Sequence, residues 1–275
     1  MKKFALIGYP LGHSMSPLIH RELFKLNDIY AGYELIEINP EYFETQFDAM
    51  KSFDGFNVTI PHKISVIPHL KELSEKAALF GAVNTVKNDD GNLTGYNTDC
   101  IGFLRALDMA DITLSGKVLV CGCGGVSRMF AFETVLAGAD LTIAVRDGSL
   151  EGGRRLVHEI ESKLGKTAQL ITLDKADGEF DLIINGTPVG MHPDTNNCVL
   201  SKEKVQKTKA VFDAVYNPLE TKLIRYAKEG GIKYSNGLSM LVWQAAAAQE
   251  IWLGVKFNNE QIRTVLKITE EELKK

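Results

Sequence analysis

The segment KVLVCGCGGVSR, Lys117 to Arg128, constrains the fold more than any other stretch of the chain. A short β-favouring run leads into a glycine-rich turn, and an apolar-periodic stretch follows. That pattern predicts a strand, a tight turn and the start of a helix, the opening of a βαβ unit. Glycines there let the backbone approach a pyrophosphate, and the helix N-terminus offers unpaired N–H groups and a positive dipole. The spacing is G-x-G-G-x-S, with Ser127 where a third glycine usually falls, so the fingerprint is imperfect. Two readings stand at this point: a dinucleotide-binding turn, or a tight strand–helix turn that holds no ligand.

The same alternation runs through the whole chain. Strands are predicted over residues 4–7, 33–38, 55–59, 82–87, 117–121, 140–145, 169–173, 181–185 and 210–214. Helices are predicted over 17–26, 40–50, 74–79, 101–107, 126–137, 150–164, 221–228, 238–253 and 260–273. Strands alternating with helices imply an α/β fold with largely parallel sheets. The chain has 275 residues, a prior of about two domains. Residues 110–236 carry a dense strand–helix series. The first hundred are more irregular, with polar residues in loops bounded by Gly and Pro, so a boundary near 100–110 is expected.

Charge and cysteines narrow the function. Lys plus Arg is 31 and Asp plus Glu is 35, a net charge of −4. That balance argues against a nucleic-acid partner but not against a small anion in a local basic pocket. Cys100, Cys121, Cys123 and Cys198 show no zinc or C-x-x-C spacing. No metal centre is expected, and a reduced, cytoplasmic setting is the simplest reading. The opening MKKFALIGYP imitates a signal peptide, but its apolar run is too short and reads as a strand. Residues 238–253 fall short of a membrane span and read as a buried core helix, so no membrane partner is expected.

Several polar residues fit a bland core poorly. Ser16 reads as an N-cap with Pro17 at the first helical position, which leaves Ser14 unexplained. Two hydroxyls beside a helix N-terminus would suit a carboxylate. His13 could act as a base, but no acid partner is visible and a structural role is preferred. Residues 55–63 read as a strand entering a Pro-started helix, with Lys63 in its first turn. A solvated lysine tolerates the positive dipole there, and a proton-donating one gains from it. Asn84 and Asp99 stand in the polar turns GAVNT and GYNTD, although Asp99 could simply cap the next helix. Gln244 sits in an apolar stripe of Met240, Leu241, Ala247, Ala248 and Ile251, and needs a partner from protein or ligand. Together these polar-tipped loops point to a site for a polyhydroxylated, anionic small molecule. Arg146 and Asp147 close the strand after the glycine turn. An arginine there suits a ribose 2′-phosphate and an acid suits a 2′-hydroxyl, so the signal is mixed.

The motifs HSMSP (13–17), GFNVTIPHK (55–63), GAVNT (81–85), GYNTD (95–99), GCGGVSR (122–128), NGTPVGM (185–191), DAVYNPLETKL (213–223) and GLSMLVWQ (237–244) occur in this order. In this the chain resembles the shikimate dehydrogenases over nearly its whole length. The resemblance implies two domains with the active site in the cleft between them. One is an N-terminal α/β substrate domain over 1–103, completed by helices at 238–275, and the other is a Rossmann dinucleotide-binding domain over 104–237. It implies reversible hydride transfer between NADPH and the carbon that links 3-dehydroshikimate and shikimate. Lys63 matches the catalytic lysine and Asp99 its partner. Ser14 and Ser16 match the carboxylate-binding pair, and Tyr216 a tyrosine near that carboxylate; Thr59, Asn84 and Gln244 match other substrate contacts. Gly122, Cys123, Gly124, Gly125 and Val126 match the pyrophosphate turn, Arg146 the 2′-phosphate contact, and Ala214 and Gly237 positions beside the nicotinamide. The family commonly has Asn-Arg-Thr where this chain has Val145-Arg146-Asp147, and a basic residue where it has Leu150. Arg146 is kept, so NADP is expected, with NAD as the alternative cofactor. The rival readings are a quinate/shikimate dehydrogenase using NAD, a non-catalytic homologue that senses shikimate or quinate, and an unrelated Rossmann reductase. A monomer and a homodimer are both compatible with the sequence.

Overall fold

The computed structural model describes residues 1–12 and 14–275, so His13 lies outside the described residues. The chain divides into two compact units, Met1–Gly102 with Leu241–Lys275, and Phe103–Met240.

In the first unit, six strands among the described residues form one sheet. They are β1 (Lys2–Gly8), β2 (Ala31–Glu37), β3 (Gly55–Val58), β4 (Glu72–Leu73), β5 (Thr85–Asp89) and β6 (Asn92–Tyr96), in the order β2-β1-β3-β5-β6-β4. β1 runs parallel to β2 and β3, and β5 runs antiparallel to β3 and β6. The run Phe4–Ile7 is buried, as its unbroken apolar character requires of a strand covered on both faces. Ala5 and Ile7 pack with Phe47, Met50, Phe56 and Val86. Phe4, pointing the other way, packs with Phe24, Ala248 and Trp252. The Trp252 ring stacks on Phe4 at 4.6 Å and its Nε1–H donates to the Val86 carbonyl at 2.9 Å. Gly55 makes room for that indole, because a Cβ there would lie 2.5 Å from Trp252 Nε1.

Two expectations are corrected here, and one strand was not foreseen. The predicted helix over 40–50 is a series of short pieces: 3-10 turns at Pro40–Tyr42 and Phe47–Ser52 flank one α-turn, Phe43–Gln46. Its buried Phe43, Phe47 and Met50 keep helical spacing while the backbone tightens around them. The Pro-started helix at Pro61 is absent; residues 60–66 form successive turns that end in the 3-10 turn Ile67–His69. Strand β6, unpredicted, pairs with β5 across Asp90-Gly91, both at positive φ. An Asp-Gly pair between two strand-like runs is the signal that could have revealed it.

The second unit holds a sheet of six parallel strands among the described residues. They are β7 (Lys117–Cys121), β8 (Asp140–Val145), β9 (Gln169–Thr172), β10 (Leu182–Asn185), β11 (Ala210–Asp213) and the unpredicted β12 (Lys233–Asn236). Their order is β12-β11-β10-β7-β8-β9. The direction of winding reverses between β7 and β10. In doubly wound sheets, ligands bind outside the C-terminal strand ends at that switch point. Among the described residues, no helix is long and apolar enough to cross a membrane, and no His, Cys, Asp and Glu side chains converge as a metal site would need.

Candidate active site

In the first unit, Lys63 and Asp99 meet. Lys63 Nζ donates to Asp99 Oδ2 at 2.6 Å, with side chains 31% and 20% exposed. Both are therefore reachable by a ligand without being solvated on all sides. The neighbouring His62 explains how Lys63 is aimed. His62 is buried against Phe43, and its Nε2–H donates to the Ile38 carbonyl at 2.6 Å. The Lys63 carbonyl accepts from the Val83 N–H at 2.8 Å. The turn is thus pinned on both sides of Lys63, and the predicted helix dipole plays no part. Asp99 is the second residue of the helix Thr98–Met109 and does not cap it, because Asn97 Oδ1 accepts the Cys100 N–H at 3.3 Å.

Asn84 is the hub behind this pair. Its Nδ2 lies 2.8 Å from Asp99 Oδ1, 3.0 Å from Thr98 Oγ1 and 3.4 Å from Gln244 Oε1. Its two protons serve two of these acceptors at a time. Asn84 Oδ1 accepts the Thr98 N–H at 2.6 Å. Gln244 Nε2 donates to the Leu241 carbonyl at 2.9 Å, while its Oε1 shares the Asn84 amide with two closer acceptors.

The serine loop reverses one expectation. The N-cap position of the helix Ser16–Lys25 is Met15, and Ser16 is its first residue. Ser14 Oγ accepts the Ser16 N–H at 3.3 Å, so Ser14 is the serine with a local structural role. No acidic residue occupies the first turn of this helix, which leaves its positive end available to an anion. The loop lies against the turn that carries Thr59. Tyr9 N–H donates to the Ile60 carbonyl at 3.0 Å, and a Cβ on Gly8 would collide with the Thr59 methyl.

Hydrogen bonds join this loop to the Lys63–Asp99 pair through residues that sequence reasoning missed. The Ser16 hydroxyl bonds the half-buried Tyr33 phenol, which donates to Asn57 Oδ1 at 2.7 Å. Asn57 Nδ2 donates to Thr85 Oγ1 at 3.0 Å, and the Thr85 and Thr98 hydroxyls pair at 2.9 Å. A buried asparagine within the apolar strand Gly55–Val58 was the signal for Asn57. Tyr33 carried none, since a tyrosine in a strand is ordinary.

The second unit builds a different site. Gly122 ends β7 at φ +102°, a conformation that favours glycine. Gly124 is the N-cap of the helix Gly125–Leu136. A Cβ added at Gly124 or Gly125 would meet nothing within 4 Å, so neither glycine is required by packing within the chain. Open space over a helix N-terminus at the sheet's switch point fits a dinucleotide pyrophosphate. Cys123, half-buried, and Val126 flank the two glycines. Ser127, in place of the third glycine, is fully buried; its hydroxyl donates to the Gly186 carbonyl at 2.9 Å. Gly186 supplies the room, since a Cβ there would lie 2.9 Å from Ser127 Cα. The close helix–strand approach is thus kept with the small residue moved to the other side.

Arg146 follows β8 and is exposed, as is Asp147, which opens a 3-10 turn before the helix Leu150–Leu164. Ala214 follows β11 and donates its N–H to the Asn185 carbonyl at 2.9 Å. Gly237 packs on Ala214 so closely that a Cβ would lie 2.6 Å from the Ala214 carbonyl carbon. Tyr216 belongs to the same unit and is half-buried, and burial raises its phenol above the usual range. A concavity of about 650 Å³ opens at the opposite strand ends, beside Lys117, Asp140 and Gln169. That is the wrong end of a parallel sheet for a nucleotide.

Two family profiles match the chain: the shikimate dehydrogenase substrate binding domain over residues 6–86, and the shikimate 5′-dehydrogenase C-terminal domain over residues 237–267. The chain is 41% identical over 257 residues to the shikimate dehydrogenase (NADP(+)) of Geobacillus kaustophilus, covering 92% of this chain and 93% of that protein. It is 38% identical over 264 residues to that of Caldanaerobacter subterraneus, covering 94% of each. The crystal structure of shikimate 5-dehydrogenase from Thermus thermophilus, in complex with NADP(H) and shikimate, superposes with a TM-score of 0.88. The two are 33% identical, over 98% of this chain and 100% of that one.

Proposed function

The chain belongs to the shikimate dehydrogenase family, and from that premise we propose that it reduces 3-dehydroshikimate to shikimate reversibly with NADPH, in the cytoplasm, as a step of aromatic amino acid biosynthesis. Residues 1–103 with 238–275 serve as the substrate domain and 104–237 as the cofactor domain. The observation that carries the reading is the Lys63–Asp99 ion pair at 2.6 Å, partly buried and backed by Asn84.

A bound nicotinamide cofactor supplies the hydride. Reduction of a ring ketone leaves negative charge on its oxygen. The Lys63 ammonium is placed to stabilise that charge and to deliver the proton. Asp99 orients Lys63 and accepts from a ring hydroxyl. Ser14 and Ser16 hold the substrate carboxylate near the helix N-terminus with Tyr216 beside it, and Thr59, Asn84 and Gln244 contact the ring substituents. Residues Gly122–Val126 cradle the pyrophosphate, Arg146 meets the 2′-phosphate, and Ala214 and Gly237 border the nicotinamide. A sensor of shikimate has no use for a proton donor, so the Lys63–Asp99 pair favours an enzyme.

The test is steady-state oxidation of shikimate, read at 340 nm, with NADP⁺ and NAD⁺ in parallel and quinate as second substrate. Turnover of shikimate with a strong NADP⁺ preference is expected. Exposed Asp147 beside Arg146 favours a second reading, and equal or better rates with NAD⁺ and quinate would put it in place of the first.

A further inference from the structure

Asp213, the last residue of β11, is a buried carboxylate that the proposed chemistry does not use, and its bonds reach three segments of the second unit. Its Oδ1 accepts from Asn185 Nδ2 at 2.9 Å and from the Val215 N–H at 3.1 Å, and its Oδ2 accepts from the Thr221 hydroxyl at 2.5 Å. Asn185 passes the connection on. Its Oδ1 accepts the Thr187 N–H at 3.0 Å and the Thr187 hydroxyl at 2.7 Å. Thr187 in turn buttresses the glycine turn, since a Cβ on Gly122 would lie 2.8 Å from its methyl. Thr221 Oγ1 accepts the Ile224 N–H at 3.3 Å and so caps the helix Lys222–Glu229. One carboxylate therefore ties together the loop after β10, the loop after β11 and a helix start.

Charge at this position is costly, because a buried carboxylate loses its hydration. An apolar residue would pack there more cheaply but could not accept three hydrogen bonds at once. We infer that Asp213 is a positioning residue that fixes the two loops beside the cofactor crevice, and so sets dinucleotide affinity from beneath the site. The inference rests on the dinucleotide reading proposed above.

The state of this carboxyl is adjustable. Burial pushes it up to about 6, against the bonds from Thr221, Val215 and Asn185. The titratable groups that face it are the thiols of Cys121, from β7, and Cys198, both raised by burial and so neutral near pH 7. Lys222 acts on the Cys198 thiol, and its ammonium donates to the Asn196 carbonyl at 3.2 Å. Protonating Asp213 leaves the Asn185 and Val215 donors on a neutral acceptor in place of a carboxylate, so the two loops are held more weakly as pH falls through about 6.

The experiment compares the full-length wild type with Asp213→Asn, titrated with NADPH by nicotinamide fluorescence and separately with shikimate by calorimetry. At pH 7.5 the variant should bind NADPH about tenfold more weakly, a loss of one charge-assisted bond's worth. Its shikimate affinity and cooperative melt should be kept. Between pH 7.5 and 5.5 the wild type should lose NADPH affinity more steeply than the variant. The 2′-phosphate of the ligand titrates alike in both and cancels. Equal NADPH affinities or parallel pH profiles would overturn the inference. Should Asp213→Asn fail to fold, Thr221→Val removes a single bond and should give a smaller loss in the same direction; unchanged affinity there overturns the inference as well. Failure of the wild type to bind NADPH at all would sink the cofactor reading and this inference with it.

Discussion

Lys63 depends for its aim on two residues beside it that do no chemistry. His62 is locked under Phe43, and Val83 holds the Lys63 backbone carbonyl. The ammonium can therefore be removed without disturbing the turn. Lys63→Ala should cut turnover by orders of magnitude, in keeping with loss of a general acid worth about 10²–10⁴-fold and of charge stabilisation beside it. Circular dichroism and melting should change little, and near wild-type turnover would remove Lys63 from its proposed role. At this scale the sequence marks residues that are odd in their surroundings: a lysine after a proline, a glutamine in an apolar stripe. It does not mark residues that are ordinary until folded. Tyr33 and Asn57 are 24 positions apart and meet only because β1 lies between β2 and β3. Ser14 and Ser16 show the same limit: the pattern marks Ser16 as the N-cap, whereas the folded loop puts Met15 there and gives Ser14 the local hydrogen bond.

Elements are where the two kinds of glycine separate. Gly124 and Gly125 face open space, whereas Gly186 faces Ser127. Gly124→Ala should leave stability unchanged, as its φ of −75° suits alanine, yet weaken NADPH binding by putting a methyl where the pyrophosphate approaches. Gly186→Ala should do the reverse first, costing about 1–3 kcal/mol by overpacking. Urea melts and NADPH titrations of both variants check the pair, and a destabilised Gly124→Ala would mean that the turn is structural only. Long elements with clear ends were legible: residues 117–121, 140–145 and 150–164 have the same bounds in sequence pattern and structure. Two apolar strand runs and one amphipathic helix closed by Gly165 leave little choice of bounds there. β4, with two residues, and β12, KYSN, carry too little pattern to detect. The Pro61 segment looked helical because proline suits a first turn; anchoring of His62 decides its shape instead.

On the scale of the molecule, the first unit is assembled from both ends of the described chain. No composition shift marks its edges, because both fall inside helices, Thr98–Met109 and Gly237–Leu253. Trp252 and Ala248 cover Phe4 from the far side of a 138-residue stretch, Phe103 to Met240. Losing a buried Trp alone costs about 3–5 kcal/mol, a large share of the roughly 5–15 kcal/mol that holds a domain together. A chain stopped at Met240 should therefore lose shikimate binding and expose apolar surface to a dye such as ANS, while keeping NADPH affinity. Retained shikimate binding would show that residues 1–102 fold unaided. The same arrangement has a consequence during synthesis. A ribosome adds about 5–20 residues per second, so roughly 12 to 50 seconds separate the emergence of Phe4 from that of Trp252. The earliest segment made is the last to be completed, and until then its apolar face is the part of the nascent chain that a chaperone would hold.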